Sequence, residues 1–590
     1  MLEIDLSVVT FAPDVELLER LLESLAEPAP FARHLFIEDN SDDPAVVARL
    51  RALPVLSGGA FASVRIERSG RNVGFGRAHN ANAARGRAPY LLVINPDCIV
   101  EPGALAELVR IAGASPATTA AWEMRQIPYE HPKAYDPVTL ETPWASGAAT
   151  LFRREAFEAV GGFDAAIFLY GEDVDLSWRL RAAGWTLTYQ PRCAVVHRTY
   201  RHPHEEKPVA LYEGVLVHLC LRARYAGAWR TAKGLGKLAR EIARAPFTTR
   251  SRRLCGTALR FLPRWAHFAR TRVRPTDRFQ PLFLSWDYAH HRDGPFHVFR
   301  SRREEARAEP LVSILIRTCG RPAWLREALA SCANQTYRNL EVVVVEGGGE
   351  SGRAVIEEFA GRLDLRYIAT GRATTRSENG NLALDQARGE WLNFLDDDDV
   401  LFADHVEVLV DAALRAGTAG AYALAWETRT RCHDFERARY EEVAYDRRHA
   451  EPFDRMALWT HNYLPIQSVL FHRRLYERHG GFDVAMDQLE DWNLWTRYTL
   501  EDDFTMVAKT TSKYRVPADR PLAERRQEAL DAAYAVALDR QRGMQARISP
   551  REVITMAEAY ARRTNVVNRV AARVFDRMPT AARFLRRISQ

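Results

Sequence analysis

At 590 residues the chain exceeds what one hydrophobic core ordinarily holds, and its 47% hydrophobic and 27% charged residues exclude low-complexity disorder. Its seven cysteines are odd in number, scattered and without a C-x-x-C pair, which excludes a disulfide framework and a thiolate zinc site. The net charge of +6 is local in origin: Arg222 to Arg274 carries fifteen Lys or Arg against Glu241 alone, so the remainder is acidic.

The chain opens MLEIDLSVVTF, without a basic n-region, and reads directly as a strand. No apolar run approaches the roughly 18 residues of a membrane span, and the cytoplasm is the expected compartment. LSVVTFAP (Leu6 to Pro13) is a buried strand entering a turn, and VELLERLLESLA after it repeats apolar residues at three and four, as a helix does. HLFIEDNSDD (His34 to Asp43) is a second strand ending in acids. GRNVGFGRAHNANAA (Gly70 to Ala84) is not a dinucleotide fingerprint, because it does not follow the first strand and lacks G-x-G-x-x-G. YLLVINPD (Tyr90 to Asp97) is an apolar strand running into an acid. GGFD (Gly161 to Asp164) precedes E-D-x-x-L-x-x-R, read as a helix start with Glu172, Asp173, Leu176 and Arg179, and Gly184 ends that helix. His197 follows in the apolar run AVVHRTY.

The region from Tyr200 to Glu309 reads as a basic helical connector broken by Pro246, Pro263, Pro275 and Pro281. Beyond it the plan recurs. VSILIRTCGRP (Val312 to Pro322), LEVVVVEGGGES (Leu340 to Ser351), WLNFLDDDD (Trp391 to Asp399) and GGFD (Gly480 to Asp483) come in the same order, then Glu490, Asp491, Leu494 and Arg497. The expected domains are 1–200 and 310–516, with the connector at 201–309 and a helical tail at 517–590. The closing segment places Val567, Val570 and Val574 beside Arg569, Arg573 and Arg577, the pattern of a helix on an anionic membrane surface. A helix docked on the second domain with its arginines in water is the alternative.

Strand–helix alternation with continuous apolar strands predicts α/β sheets, largely parallel, whose ligands bind beyond the carboxyl ends of the strands. Asp39, Asp97, Glu346 and Asp396 to Asp399 stand at those ends. A packed acidic cluster repels itself unless a cation is present, and oxygen ligands suit Mg²⁺ or Mn²⁺. Such an ion would stabilise a departing nucleoside diphosphate, whereas a solvated turn is the plain alternative. In the first copy Asn95 replaces the leading acid, so His197 would complete the site with Asp97. A lone histidine in an apolar run is more often a core residue. Asp173 and Asp491, in first helical turns, fit a general base for an acceptor hydroxyl, and helix-start preference for acids is the competing explanation.

At these residues the chain resembles glycosyltransferase family 2, with its GT-A (Rossmann-like nucleotide-diphospho-sugar transferase) fold, over roughly residues 4–200 and 310–516. The resemblance implies inverting transfer from a nucleotide-diphospho-sugar with Mn²⁺ or Mg²⁺. In the second copy Asp396 and Asp398 match the metal motif D-x-D, and Asp491 the base. Thr318 and Arg321 match the nucleotide loop, Arg376 and Asn381 the polar segment before the metal strand, and Glu346 stands where the family usually has Asp. The first copy is similar to the rhamnosyltransferase-like branch. There Thr10 and Asp39 match nucleotide-binding positions, Asn72, Gly74 and Asn80 the N-x-G-x-x-x-x-N segment, with Asn72 among the nucleotide-sugar residues, Asp97 the metal acid, Asp173 the base and His197 the late histidine near the metal. Two copies imply two linkages in a bacterial surface polysaccharide of O-antigen or capsule type, with a lipid-linked or oligosaccharide acceptor. The enzyme is then expected on the inner face of the cytoplasmic membrane, bound peripherally to its anionic surface. The rival readings are one active transferase with a non-catalytic glycan-binding partner domain, and a nucleic-acid binder. The basic connector contains no recognised nucleic-acid module, and no nucleic-acid partner is expected.

Overall fold

The computed structural model describes residues 2–558 apart from 199–204, 206, 278, 298–308, 487, 547, 552 and 556. The segment carrying Val567 to Arg577 lies outside the described residues.

The first half contains β1 (Glu3–Thr10), α1 (Val15–Leu25), β2 (Ala32–Asp39), α2 (Ala45–Arg51), β3 (Ser63–Arg68), α3 (Phe75–Arg85), β4 (Tyr90–Ile94), β5 (Cys98–Val100) and α4 (Ala104–Ala114). It continues with β6 (Thr119–Pro128), β7 (Ala149–Arg153), α5 (Arg154–Ala159), α6 (Glu172–Ala182) and β8 (Thr186–His197). Three helices follow: α7 (Pro208–Leu221), α8 (Gly227–Arg244) and α9 (Thr249–Arg270). The second half contains β9 (Val312–Thr318), α10 (Pro322–Ala333), β10 (Leu340–Glu346), α11 (Arg353–Phe359), β11 (Asp364–Ala369), α12 (Arg376–Gln386), β12 (Trp391–Asp396), β13 (Val400–Leu401) and α13 (His405–Ala416). Then come β14 (Gly420–Asp434), β15 (Arg439–Asp446), α14 (Arg455–Thr460), β16 (Val469–His472), α15 (Arg473–His479), α16 (Glu490–Tyr498), β17 (Phe504–Pro517) and α17 (Arg520–Arg542).

The strand orders are β3-β2-β1-β4-β7-β6-β8-β5 and β11-β10-β9-β12-β16-β14-β17-β13, with β15 paired to β14. Position by position these are one topology, the second having an added hairpin strand. Each sheet begins parallel and reverses where β4 meets β7 and β12 meets β16. The alternation that makes β1 a strand sends Ile4, Leu6 and Val8 into the core, where they meet Leu18, Leu21, Leu22 and Leu25 of α1. Each such leucine contributes about 1.5–3 kcal/mol when fully buried. Asp14 starts α1 by accepting from Leu17 N, and a Thr375–Glu378 capping box starts α12.

The halves meet through a buried ionic square. Arg292 bonds Glu130 (2.9 Å) and Asp404 (3.1 Å), and Lys509 bonds the same two carboxylates (3.1 and 3.2 Å). Arg192 adds hydrogen bonds to the carbonyls of Ala333 and Gln335.

The segment read as a connector is built into the first half. Arg224 on the turn after α7 reaches Asp175 of α6 (2.6 Å), and His291 pairs with Lys133 through a backbone bridge. Pro263 does not break a helix as expected but lies inside α9. It sits on the solvent-exposed side of the helix, where the loss of one N–H bond is tolerated.

Candidate active sites

A cavity of about 600 Å³ opens at the carboxyl ends of the first sheet. Asp97 reaches it from the turn after β4, His197 from the end of β8, and Glu172 and Asp173 from the first turn of α6. The α6 turn is aimed by Gly171, whose φ of 86° is left-handed and whose added Cβ would stand 2.7 Å from Val217 of α7. In the second half Leu489 takes that place with φ 59°, a strained conformation for a branched residue.

Asp173 is fixed by Gly147 N (3.1 Å) and Val174 N (2.8 Å). Burial raises its carboxyl above the usual range despite these donors. Burial, then the neighbouring Asp173, pushes Glu172 up to about 8, leaving it neutral at pH 7. His197 Nδ1 lies 2.6 Å from Gln126 Oε1 while Nε2 lies 3.2 Å from Asp97 Oδ1. A neutral ring has one N–H, so it can donate to only one of those oxygens. A Gln126 amide turned to donate to Nδ1, or a cation between Nε2 and the carboxylate, resolves this, and Nε2 is otherwise buried without a hydrogen-bond partner. The donor set therefore fits a divalent ion held by Asp97 and His197, with Gln126 fixing the ring. Cys98 lies within the same cluster. Burial keeps it a thiol and it faces the Ala148 carbonyl, so it is a poor ligand. Burial alone would raise Asp97, but His197, a backbone N–H and Lys207 together hold the carboxyl low.

The second cavity, about 480 Å³, is lined by Asp396, Asp398, Glu490 and Asp491 at corresponding positions. Asp491 is fixed by Trp492 N (2.8 Å) and Asn462 Nδ2 (3.0 Å). Burial, then Glu490, pushes it up to about 7, where a base is half-ionised at neutral pH. The expected ion site is arranged differently here. Asp396 accepts from Arg317 through both carboxylate oxygens (2.8 and 2.9 Å), so a guanidinium occupies the position given to the ion and Asp396 does not fit as a ligand. Burial opposes its ionisation, but Arg317 and then Arg376 hold it below the usual range. Asp398 accepts from Arg321 (3.1 Å). Asp397 is buried against Thr318 (2.6 Å) and Arg321 and is pushed up to about 7 by burial. Burial and its acidic neighbours raise Asp399 well above the usual range.

The strand registers explain the difference. Leu395 pairs with Ile316 as Ile94 pairs with Val8, so Asn95 and Val9 stand where the second half has Asp396 and Arg317. The ion pair is exchanged as a unit for a neutral pair. Likewise Val400 pairs with Lys513 as Ile99 pairs with Val196, which puts Tyr514 in the place of His197.

The other expected residues divide. Thr10 donates to Asp39 (2.8 Å), which is fully buried and whose second oxygen has no hydrogen-bond partner. Glu346 is not available: it accepts from Ser351, Gly352 N and Tyr367. Asn381 is a backbone clamp, its amide bonded both ways to Phe482, as Asn80 is to Phe163. Asn72 accepts from Gly74 N at the start of α3. Arg376 stands at the cavity rim, 3.7 Å from Glu490. Sequence reasoning missed Gln126, Arg317, Asn462 and both roofs. Lys207, Trp286, Tyr288 and His291 close over the first cavity, and Arg526, Gln527 and Leu530 of α17 over the second. Arg317 carried a signal, being a lone charge in the apolar run VSILIRT.

Comparison with known proteins agrees with the duplicated architecture. Residues 313–478 match the family "Glycosyl transferase family 2" and residues 6–213 the family "Glycosyltransferase like family 2". The N-terminal region is similar to the N-acetylglucosaminyl-diphospho-decaprenol L-rhamnosyltransferase of Mycobacterium tuberculosis, with 30% identity over 38% of this chain and 85% of that protein. The chain is also similar to the GalNAc(5)-diNAcBac-PP-undecaprenol beta-1,3-glucosyltransferase of Campylobacter jejuni, with 30% identity over 18% of this chain and 35% of that protein. With two mixed α/β sheets of one topology, each bearing its own acidic cleft, the chain belongs to glycosyltransferase family 2.

Proposed function

We propose that the protein is a bifunctional inverting glycosyltransferase, each half moving one sugar from a nucleotide-diphospho-sugar onto a growing bacterial surface polysaccharide of O-antigen or capsule type. One observation carries the reading. In both halves a half-buried aspartate, pinned by a backbone N–H at the start of a helix, lines the same cavity as the acids after the fourth strand. Asp173 and Asp491 take the proton of the acceptor hydroxyl as it attacks, and attack on the face opposite the leaving diphosphate inverts the anomeric centre. Asp39 orients the nucleoside in the first half. In the second, Thr318 and Arg321 hold the strand-end acids in place, and Arg317, Arg321 and Arg376 supply positive charge beside the leaving group. Asp97 and His197 would hold Mn²⁺ or Mg²⁺ in the first half and Asp398 in the second, and the bound ion would offset charge developing on the diphosphate.

Both relatives named above have polyprenyl-diphosphate sugars in their names, which supports a lipid-linked acceptor here. The test is a panel of nucleotide-diphospho-sugars offered with a polyprenyl-diphosphate-linked sugar, the product anomer being read by NMR. Transfer with inverted configuration is expected. Retained configuration, or no transfer from any donor, would overturn the reading.

A further inference from the structure

The helices α8 and α9 form a hairpin whose inner and outer faces differ in kind. On α9, Leu254, Phe261 and Phe268 recur at seven and point inward, where they are buried. At 100° per residue Leu259 falls on the opposite side and Leu262 on the flank, and they are 68% and 61% exposed. On α8, Trp229 is 72% exposed with Lys233 one turn away, 5.2 Å from its ring centre. At the tip between the helices Phe247 is 89% exposed and held at a φ of 66°. An exposed aromatic side chain on a left-handed backbone gains nothing from the fold that presents it.

Basic residues surround these apolar tips. Arg230, Lys233, Arg240, Arg244, Arg250 and Arg252 are all exposed, and no carboxylate is bonded to any of them among the described residues. Apolar and aromatic tips interleaved with unpaired cations match an anionic bilayer, in which the former enter the acyl boundary and the latter meet headgroup phosphates. No helix among the described residues is long and apolar enough to cross a membrane, so contact through this hairpin would be contact with a surface.

The hairpin is also joined to the first cavity. The 14-residue α7, about 21 Å long, packs against α9 and contributes Ala210 and Gly214 to the cavity wall. Lys207, just before α7, lines the same wall, and Val209 beside it is 58% exposed. We propose that the α8–α9 hairpin lies on an anionic membrane surface with Phe247 entering it, and that α7 thereby holds the mouth of the first cavity toward the lipid. This deepens the reading of a lipid-linked acceptor by naming where it is met, while the surface itself stands on the hairpin alone.

Co-sedimentation of the full chain with vesicles, without substrates, tests it. The wild type sediments with vesicles containing phosphatidylglycerol and not with pure phosphatidylcholine. Reversing Arg240, Arg244 and Arg250 to Glu weakens binding on the order of 100-fold, from about five-fold per basic residue. Replacing Trp229, Phe247 and Leu262 with Ser weakens it about ten-fold or more. All six side chains are exposed, and turnover of a soluble acceptor stays at the wild-type level in both variants, so failure of the surface and failure of the transferase reading are told apart. Hydrogen exchange on the wild type supplies a second readout, in which amides of residues 244–252 slow when anionic vesicles are added. A chain ending at Glu558 still binds. Binding lost with that truncation and unchanged in both hairpin variants would overturn the proposal, as would salt-sensitive retention of RNA without vesicle binding.

Discussion

Arg317 and Asp396 of the second half correspond to Val9 and Asn95 of the first, and this exchange predicts how each substitution behaves. Arg317→Val removes the partner of two carboxylates: Asp396, bonded through both oxygens, and Glu490, bonded at 3.0 Å and only 3% exposed. Glu490 then keeps only the half-exposed Arg376, 3.7 Å away, and moves toward the situation of Glu172, which is pushed up to about 8. A buried carboxyl raised from 4.5 toward that value destabilises the fold by roughly 3–5 kcal/mol once pH exceeds it. The sign follows from proton binding. The folded variant holds more protons than the unfolded chain between about pH 5 and about pH 8, so stability falls as pH rises through that window. The deficit is therefore small near pH 5 and largest near pH 8. Adding Asp396→Asn removes the second stranded carboxylate and recovers on the order of 1 kcal/mol, a coupling readable in a double-mutant cycle. Urea unfolding of the four proteins, followed by tryptophan fluorescence at both pH values, measures it. An Arg317→Val deficit equal at both pH values, or a double variant no more stable than the single one, would refute the reasoning.

Three further outcomes are expected. With Asp491 pushed up to about 7 by burial and Glu490, the second transfer rises about ten-fold per pH unit below that value and levels off above it, as read from log kcat/KM. His197→Ala raises the Mn²⁺ concentration that half-restores the chelated first reaction by about 10-fold or more, because Asp97 is left without its companion ligand; Gln126→Ala acts in the same direction by freeing the ring. Lys509→Met leaves Glu130 and Asp404 with Arg292 as their one directly bonded cation among the described residues and costs about 3–5 kcal/mol at the junction of the halves, seen as a lowered melting temperature.

The duplication was legible because it is written locally. Apolar runs such as YLLVI and WLNFL can only be buried strands, and each ends in an acid that the chain must then turn to expose. The helix starts at Glu172 and Glu490 were legible for the same reason. What spacing could not show is the partner of a polar side chain. Asp396 and Arg317 are 79 residues apart, and Glu490 and Arg317 are 173 apart; their meeting depends on sheet register. Hence an ion was expected where a guanidinium sits. Asn381 and Glu346 match a nucleotide-binding pattern by position, but their polar atoms face the backbone and side chains of their own half. The roof of the first cavity was hidden by composition, since a basic, proline-interrupted segment reads as a linker although Trp286, Tyr288 and His291 close the site.

The central claim is that the two cavities are two independent active sites. Asp173→Asn and Asp491→Asn preserve the shape of each site and remove its base. Each should lower one transfer about 10²-fold or more while leaving the other at the wild-type level. The decisive measurement is linkage analysis of the glycan made by each variant from the full set of donors. The account predicts that the Asp173→Asn product lacks one linkage and the Asp491→Asn product lacks a different one. Loss of the same linkage in both variants, or a complete product from either, would contradict it.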